Sequence, residues 1–301
     1  MTYWAVGTCS WADESMVKSW YPKEYRSSEN RLQYYSTYFD TVEVDSTFYA
    51  LPKAEYCARW DQSTPDDFVF HIKAFGLMTD HSVQPSRLPP KLREYNYELT
   101  RFGNVKNPPP RMIRESFDLF VKAIEPIRSA GKLGVVLFQF PPYFTATSRQ
   151  EIRRNLAWIR RSRELMAGYD LAVEFRHSSW SKSPTRGKLL RFLRQEGLSL
   201  VSVDEPQTGQ RSFPKLIEST GRYGYIRFHG RNRANWNRRT ESAAERFKYR
   251  YSEDELREWV DDVAHLCDAT DKTFVMFNNC YADYAPTNAL DMKNILLDEN
   301  L

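Results

Sequence analysis

The chain has 301 residues, of which 41% are hydrophobic and 15% aromatic, which is enough for one large core or two smaller ones. No apolar run approaches the ~18 residues of a membrane helix, and no basic region followed by an apolar run opens the chain, so we expect no membrane association and a cytoplasmic location. The formal net charge of +4 hides a basic segment at 231–250, which carries a local charge of +5 and leaves −1 for the remainder.

The cysteines lie far apart, without the CxxC or Cys/His spacing of a zinc site. This distribution predicts reduced thiols and neither a disulfide framework nor a structural metal. The residues concerned are Cys9, Cys57, Cys267 and Cys280.

Short β-rich runs alternate with helical patterns along the whole chain. Ser148 with Glu151, and Ser252 with Glu255, stand at capping-box spacing and predict two helix starts. Regular alternation predicts an α/β protein with a parallel sheet. Eight strand–helix units in a chain of this length indicate a (β/α)8 TIM-type barrel forming a single domain over 1–301. The predicted strands are 4–8, 41–46, 68–74, 133–140, 171–177, 198–204, 223–229 and 274–279.

A doubly wound open sheet is the alternative fold, but no GxGxxG or Walker motif follows the first strand. Two long connections interrupt the barrel pattern. The proline-rich excursion at 76–112 follows the third strand, and the basic loop at 231–250 follows the seventh. Connections of this length without clear regular structure are usually functional or disordered.

Toward the carboxyl end of most predicted strands, every second residue is polar, so the polar side chains of one strand share one face. In YIRFHGR, for example, Ile226 and Phe228 alternate with Arg227 and His229. A barrel explains this pattern, because the apolar face packs on the helices and the polar face turns inward at the end where barrel enzymes place their sites. We call the end of the barrel at which the strands finish the mouth. The polar residues that we expect to meet there are Glu43, Lys73, Gln139, Glu174, Arg176, Asp204, Arg227, His229 and Asn278.

A structural ionic plug is the alternative interpretation of these charges, with Glu43 and Glu174 pairing with Lys73 and Arg227. Burial of several charges adds little stability over an apolar filling, however. Fixed polar groups that converge in a pocket are the usual sign of a binding site, and we favour a functional mouth.

The motifs GTCSW, WYP at 20–22, VEVDSTFY, LFQFPP, VEFRHSSW, RFHGR and FNN resemble, in order and spacing, the YecE-like family of unknown function. The resemblance extends from Gly7 to about Asn288 and implies a TIM-type barrel with a site at its mouth, but no reaction. The family usually has Asn where this chain has Asp45, which shares the face of Glu43. Its Thr-His pair after the third strand is here Thr79-Asp80-His81.

The arginines and Lys73 favour an anionic, phosphate- or carboxylate-bearing substrate, because a guanidinium matches such groups with a planar fork. We predict a metal-free acid/base enzyme of hydrolase or lyase type that needs no cofactor. Glu174 is the candidate general base or acid, and His229 is its partner acid or a supporting residue. Glu43, Lys73 and Asp204 complete the catalytic candidates, and the substrate-binding candidates are Gln139, Arg176, His177, Arg227, Arg231, Asn278 and Trp236.

Two other interpretations stay open. Glu43, Glu174, Asp204 and His229 are competent ligands for a divalent metal, which suggests a phosphodiesterase or endonuclease, although nearby cations oppose a metal. Alternatively, the loop at 231–250 binds single-stranded nucleic acid, with bases stacking on Trp236 and with Arg238 and Arg239 contributing to a steep salt dependence. A Schiff-base role for Lys73 is less favoured than an ion pair with Glu43.

Overall fold

The computed structural model describes residues 3–236 and 243–301, so Arg238 and Arg239 lie outside the described residues. Eight parallel strands close into a barrel in the order β1-β10-β9-β8-β7-β6-β3-β2, which confirms the predicted (β/α)8 architecture. The barrel strands are β1 Trp4–Thr8, β2 Thr41–Val44, β3 Val69–Lys73, β6 Leu133–Gln139, β7 Asp170–Glu174, β8 Ser199–Asp204, β9 Tyr223–Phe228 and β10 Lys272–Phe277.

Helices follow the strands and cover the outside of the barrel. None of the helices within the described ranges is both long and apolar enough to span a bilayer. The helices are α1 Glu14–Ser19, α2 Ser28–Tyr35, α3 Ala54–Gln62, α4 Pro90–Arg93, α5 Pro110–Ser129, α6 Arg149–Leu165, α7 Thr185–Glu196, α8 Glu253–Arg257, α9 Val260–Ala269 and α10 Tyr284–Asp298.

The local signals in the sequence account for several helix ends. Ser252 and Glu255 form a complete capping box at the start of α8. Ser148 caps α6 by accepting the N–H of Glu151. Gly197 ends α7 in the left-handed conformation, with φ of 66°, which a residue without Cβ adopts at little cost.

The excursion at 76–112 contains regular structure instead of a bare loop. It holds α4 and a small hairpin of β4 Glu98–Leu99 and β5 Val105–Lys106. The backbone carbonyl of Met78 accepts a hydrogen bond from Trp158 Nε1 at 3.1 Å, and that of Asp80 accepts one from Tyr143 Oη at 2.8 Å. These bonds anchor the start of the excursion to the rest of the barrel.

The register of the strands fixes which side chains face the barrel axis. Side chains of residues in register on parallel strands point to the same side, and β8 pairs Val203 with Arg227 and Asp204 with Phe228. Because Arg227 faces inward and Phe228 packs on Trp259 outside, Asp204 faces outward. The predicted inward position of Asp204 is therefore wrong. The residues of β8 that face inward are those that alternate with Asp204, such as Val203.

The sheet has an irregularity where β3 meets β6. Between Phe70 and Ile72 the register shifts, so that Gly134 and Val135 both oppose His71. His71 Nδ1 accepts the N–H of Val135 at 3.0 Å, and its ring packs edge-on against Phe274 at 4.2 Å between centroids. His71 is thus a buried packing residue, well below the mouth.

We expect the Gly134→Ala substitution to destabilise the fold by about 1–3 kcal/mol, the usual range for overpacking. The added Cβ would lie 2.5 Å from His71 Cε1, and that ring is wedged against Phe274 and cannot withdraw. The control is Gly187→Ala in α7, where the nearest atom is 3.7 Å away at the flexible end of Arg191 and stability should be unchanged or up to ~1 kcal/mol higher. Denaturant unfolding compares the two variants, and equal stabilities would contradict this packing.

Candidate functional site

Arg227 lies at the centre of the barrel and joins two carboxyl groups from opposite sides. Its Nη2 donates to Glu43 Oε1 and its Nη1 to Glu174 Oε2, each at 2.6 Å. All three side chains are fully buried. A guanidinium satisfies two carboxyl groups at once because its donors point in fixed, divergent directions. The predicted convergence of Glu43, Glu174 and Arg227 is confirmed in position.

Glu43 carries an unusual protonation state for a carboxyl group. Burial raises its pKa to about 7, against the lowering effect of Arg227, and the nearby Asp45 raises it further. Tyr225 Oη donates a hydrogen bond to Glu43 Oε2 at 2.8 Å. Near neutral pH, Glu43 is therefore present both as the acid and as the carboxylate.

Asp45 lies between Glu43 and solvent. Burial alone would raise its pKa, but Lys73 and Arg227 outweigh this effect, and its pKa is lowered. Its side chain is 25% exposed, whereas Glu43 has no exposure. Asp45 opens a 3-10 turn at Asp45–Phe48, and Thr47 Oγ1 fixes that turn by donating to the Lys73 carbonyl at 2.6 Å.

Lys73 pairs with Asp45, at 3.1 Å between Nζ and Oδ1, and not with Glu43 as the sequence suggested. Its Nζ also lies 4.9 Å from the centre of the Phe48 ring. His81 of the excursion packs edge-on against that same ring, with 4.8 Å between centroids. Burial, followed by Lys73 and Arg176, lowers the pKa of His81 to about 3, so this imidazole is neutral beside the mouth.

Glu174 holds three partners on the other side of Arg227. In addition to Arg227, it accepts a hydrogen bond from Arg176 Nη1 at 2.8 Å, and His229 Nε2 lies 3.2 Å from its Oε1. Burial would raise its pKa, but Arg227 and then His229 reverse the effect, and its pKa lies well below the usual value. Glu174 is consequently ionised over the physiological range.

His229 is a neutral, supporting imidazole in this arrangement. Burial lowers its pKa to about 3. The side-chain amide of Asn278 lies 2.9 Å from Nδ1 and can only donate there, which places the imidazole proton on Nε2, toward Glu174. The sequence left two roles open for His229, a partner acid and a supporting residue, and this geometry favours the supporting one.

Arg176 extends the network to a carboxyl group that the sequence reasoning missed. Its Nη2 lies 3.1 Å from Glu205 Oε2, and its guanidinium stacks 4.9 Å from the centre of the Trp236 ring. Burial raises the pKa of Glu205 to about 7. Trp236 itself is buried and supports Arg176, so its ring is not open to a nucleic-acid base in this conformation, and nucleic-acid binding by the 231–250 loop stays a prediction.

Asp204 and Arg231 form a separate cluster outside the barrel axis. Arg231 Nη2 donates to Asp204 Oδ2 at 2.8 Å and to Glu258 Oε2 at 2.9 Å. Asp204 also accepts hydrogen bonds from Tyr251 Oη and Trp259 Nε1. The prediction that Arg231 would seat an anion within the mouth is wrong in position, because its guanidinium is engaged by outer carboxylates.

His177 also lies away from the barrel axis. It directly follows Arg176 in extended chain, so its side chain points to the opposite side. Its Nδ1 is 2.8 Å from Ser179 Oγ. It lines a cavity of about 360 Å³ together with Tyr143 and Arg211. His177 therefore lies at the end where the strands finish but off the barrel axis, and its role in substrate binding stays a prediction, whereas Gln139 lies at the axis with its Oε1 3.2 Å from Arg227 Nη1.

Comparison with known proteins identifies the family. A model described as "Protein of unknown function DUF72" matches residues 5–300. The chain belongs to this family. It is 32% identical over 295 residues to UPF0759 protein YunF of Bacillus subtilis, covering 97% of this chain and 94% of YunF. It is 33% identical to UPF0759 protein YecE of Escherichia coli over 92 residues, which covers 26% of this chain and 34% of YecE.

Solved structures of DUF72 proteins share the fold. The chain matches the family member TM1631 of Thermotoga maritima with a TM-score of 0.75 and 32% identity, covering 98% of this chain and 99% of that one. EF0366 of Enterococcus faecalis gives a TM-score of 0.75 at 24% identity, with 100% and 99% coverage. The predicted resemblance to the YecE-like family and the barrel fold are therefore confirmed.

All four cysteines are free. Within residues 3–236 and 243–301, no three His, Cys, Asp or Glu side chains are grouped so that they could hold a metal ion. The metal-free character of the site stays a prediction.

We expect Arg227→Met to destabilise the protein by about 3–5 kcal/mol, because it leaves buried carboxyl groups without their cation. Arg222→Met is the matched control, since Arg222 pairs with Asp170 and Asp271 at an exposed site, and its loss should cost less than about 1 kcal/mol. Chemical denaturation measures both changes. Adding Glu43→Gln and Glu174→Gln to Arg227→Met should restore most of the lost stability, and no recovery would contradict the assigned pairing.

Proposed function

We propose that the protein is a metal-free acid/base enzyme, of hydrolase or lyase type, that acts on an anionic, phosphate- or carboxylate-bearing small molecule at the barrel mouth. The observation that supports this most directly is the pair of carboxyl groups on Arg227. Glu43 has a pKa raised to about 7, whereas the pKa of Glu174 is held well below its usual value. Carboxyl groups whose environments separate their pKa values are typical of acid and base assignments in enzymes.

Glu43 is the proposed general acid, because its pKa lies near the working pH, where a proton donor is most effective. Asp45 covers Glu43 on the solvent side and raises the pKa of that carboxyl. We propose that the substrate contacts Glu43 from the side of Asp45, whose side chain is 25% exposed. Asp45 is thus a positioning residue that tunes the acid, and its replacement by Asn would lower the pKa of Glu43.

The fixed carboxylate of Glu174 orients the cations around the substrate. It holds Arg176, whose side chain is 13% exposed. Lys73, at 8% exposure, and the partly buried Gln139 complete a rim of donors at the ends of three neighbouring strands. Such donors, fixed before the substrate arrives, suit a phosphate or carboxylate group.

The charge of this rim depends on two protons. With Glu43 and Glu205 ionised, carboxylates outnumber cations by four to three, and with both protonated the cations exceed the carboxylates by three to two. The pKa of both groups is about 7, so the site changes sign near neutral pH. Binding of an anion is therefore linked to proton uptake. The groups counted are Glu43, Asp45, Glu174 and Glu205 against Lys73, Arg176 and Arg227.

We expect sulfate, whose own charge is constant over this range, to bind at least ~10-fold more weakly at about pH 8 than at about pH 6. At the higher pH, Glu43 and Glu205 are ionised, and each must take up a proton before its negative charge is removed from the site. Calorimetry in buffers of different ionisation enthalpy measures both the affinity and the proton uptake. Glu43→Gln should make the pH dependence shallower. Glu125→Gln, on the exposed side of α5, is the control and should leave it unchanged. Equal affinity at both pH values would contradict the proposal.

Turnover of a panel of phosphate monoesters and hydroxy acids tests the acid directly. We expect the rate to fall as the pH rises through about 7, because Glu43 loses its proton, and to fall by at least ~100-fold in Glu43→Gln. Asp45→Asn should keep turnover but move the pH limb to lower values, since it removes the carboxylate that raises the pKa of Glu43. The exposed Asp66→Asn is the control. A rate that rises with pH, or an unaffected Glu43→Gln variant, would refute this assignment.

A further inference from the structure

A cavity of about 330 Å³ opens beside Asp45, between the loops that follow β1 and β2. Its volume falls within the range of about 300–1,000 Å³ that is usual for small-molecule sites. Asp45 lines this cavity and also belongs to the ion-pair network of the mouth. The cavity therefore borders the anion seat of the proposed function, on the side away from Arg176, which follows β7.

Aromatic side chains form much of the cavity wall. Trp60 packs edge-on against Trp11, with ring centroids 5.3 Å apart and planes at 82°. Tyr56 is 44% exposed, and the Arg59 guanidinium lies 4.7 Å from the centre of its ring. Exposed aromatic faces in a pocket offer apolar contact to a flat ring at low cost in side-chain entropy.

Hydroxyl groups form the polar part of the lining. Ser28 Oγ accepts the indole N–H of Trp11 at 3.2 Å, and Ser10 Oγ accepts the N–H of Ala12 at 3.0 Å. Ser46 lines the cavity beside Asp45. Because a hydroxyl is both a donor and an acceptor, these groups suit a partner with several hydroxyls of its own.

The charges at the cavity are balanced. Asp45 is paired with Lys73, and Glu29 lies 3.4 Å from Arg59. No cation belongs to the lining itself, and neither carboxylate is left to attract a cationic group. The walls therefore favour a neutral occupant with apolar faces and a polar edge over a second anion or an ammonium group.

We propose that this cavity binds a hydroxylated ring, so that the substrate is a sugar phosphate or sugar acid with its anionic group at the mouth and its ring between Trp60 and Tyr56. The inference rests on the proposed function, because the anion seat at Lys73 and Arg176 must hold the other end of the same molecule. Asp45 and Glu43 then lie where the ring meets the anionic arm.

Competition for one site tests this placement with three classes of probe. Inorganic phosphate reports the anion seat alone, cyclohexyl phosphate adds a ring without hydroxyls, and a panel of pentose and hexose phosphates with hexuronic acids adds the hydroxyls. We expect at least one sugar compound to bind about tenfold or more tightly than phosphate and cyclohexyl phosphate, with a change in tryptophan fluorescence from Trp11 and Trp60. Tyr56→Ala should remove most of that gain and leave phosphate affinity within about twofold.

Tyr3→Ala, an equally large truncation at an exposed site before β1, is the control and should change neither affinity. Trp60→Phe, with melting temperature as a check on folding, provides a second variant that should weaken only the sugar compounds. If phosphate binds but no sugar compound binds more tightly than phosphate, or if Tyr56→Ala weakens all probes equally, the ring site is refuted and the anion seat stands. If no anion binds at all, the proposed function fails together with the ring site.

Discussion

The buried bridge from Glu43 through Arg227 to Glu174 is the constraint on which the rest of the site depends. It ties β2, β9 and β7 together across the barrel axis with two bonds of 2.6 Å and no exposed atom. Ion pairs of this kind seldom improve stability over well-packed apolar residues, since desolvation offsets most of the attraction. The interior of this barrel is therefore better explained by chemistry at its mouth than by the requirements of folding.

Around that bridge, the two carboxyl groups have contrasting surroundings. Glu174 is crowded by cations and stays ionised, and it holds Arg176 in place. Glu43 faces Asp45 and has a pKa raised to about 7. In the function we propose, protonation of Glu43 and Glu205 removes the surplus of carboxylates over cations, so that the mouth takes up an anion together with protons, and the aromatic cavity next to Asp45 extends this seat on one side. The protonation of Glu43 thus sets the charge of the rim, which borders the adjoining cavity through Asp45.

The sequence was sufficient for the fold and for most of the central residues, because an inward polar residue stands out on a strand whose other face is apolar. It failed at β8, where Ser202 and Asp204 alternate with valines but are satisfied outside, by the Leu216 carbonyl and by Arg231. When a strand is buried on both faces, the alternation of its residues does not show which face points into the barrel. Arg231 was misplaced because Gly230, with a φ of 83°, turns the chain just before it and its guanidinium reaches Asp204 and Glu258. Asp45 shared the parity of Glu43, and that signal could have placed it in the site.

Every role assigned to the mouth depends on the protonation of Glu43 near neutral pH, and carboxyl-carbon NMR of protein labelled at the glutamate side chains measures that protonation. Glu43→Gln and Glu174→Gln assign the two signals. We expect the Glu43 signal to titrate near pH 7, while the Glu174 signal keeps the shift of a carboxylate down to pH values well below the usual pKa of a glutamate. Two signals that titrate together near the ordinary value of about 4.3 would contradict this expectation.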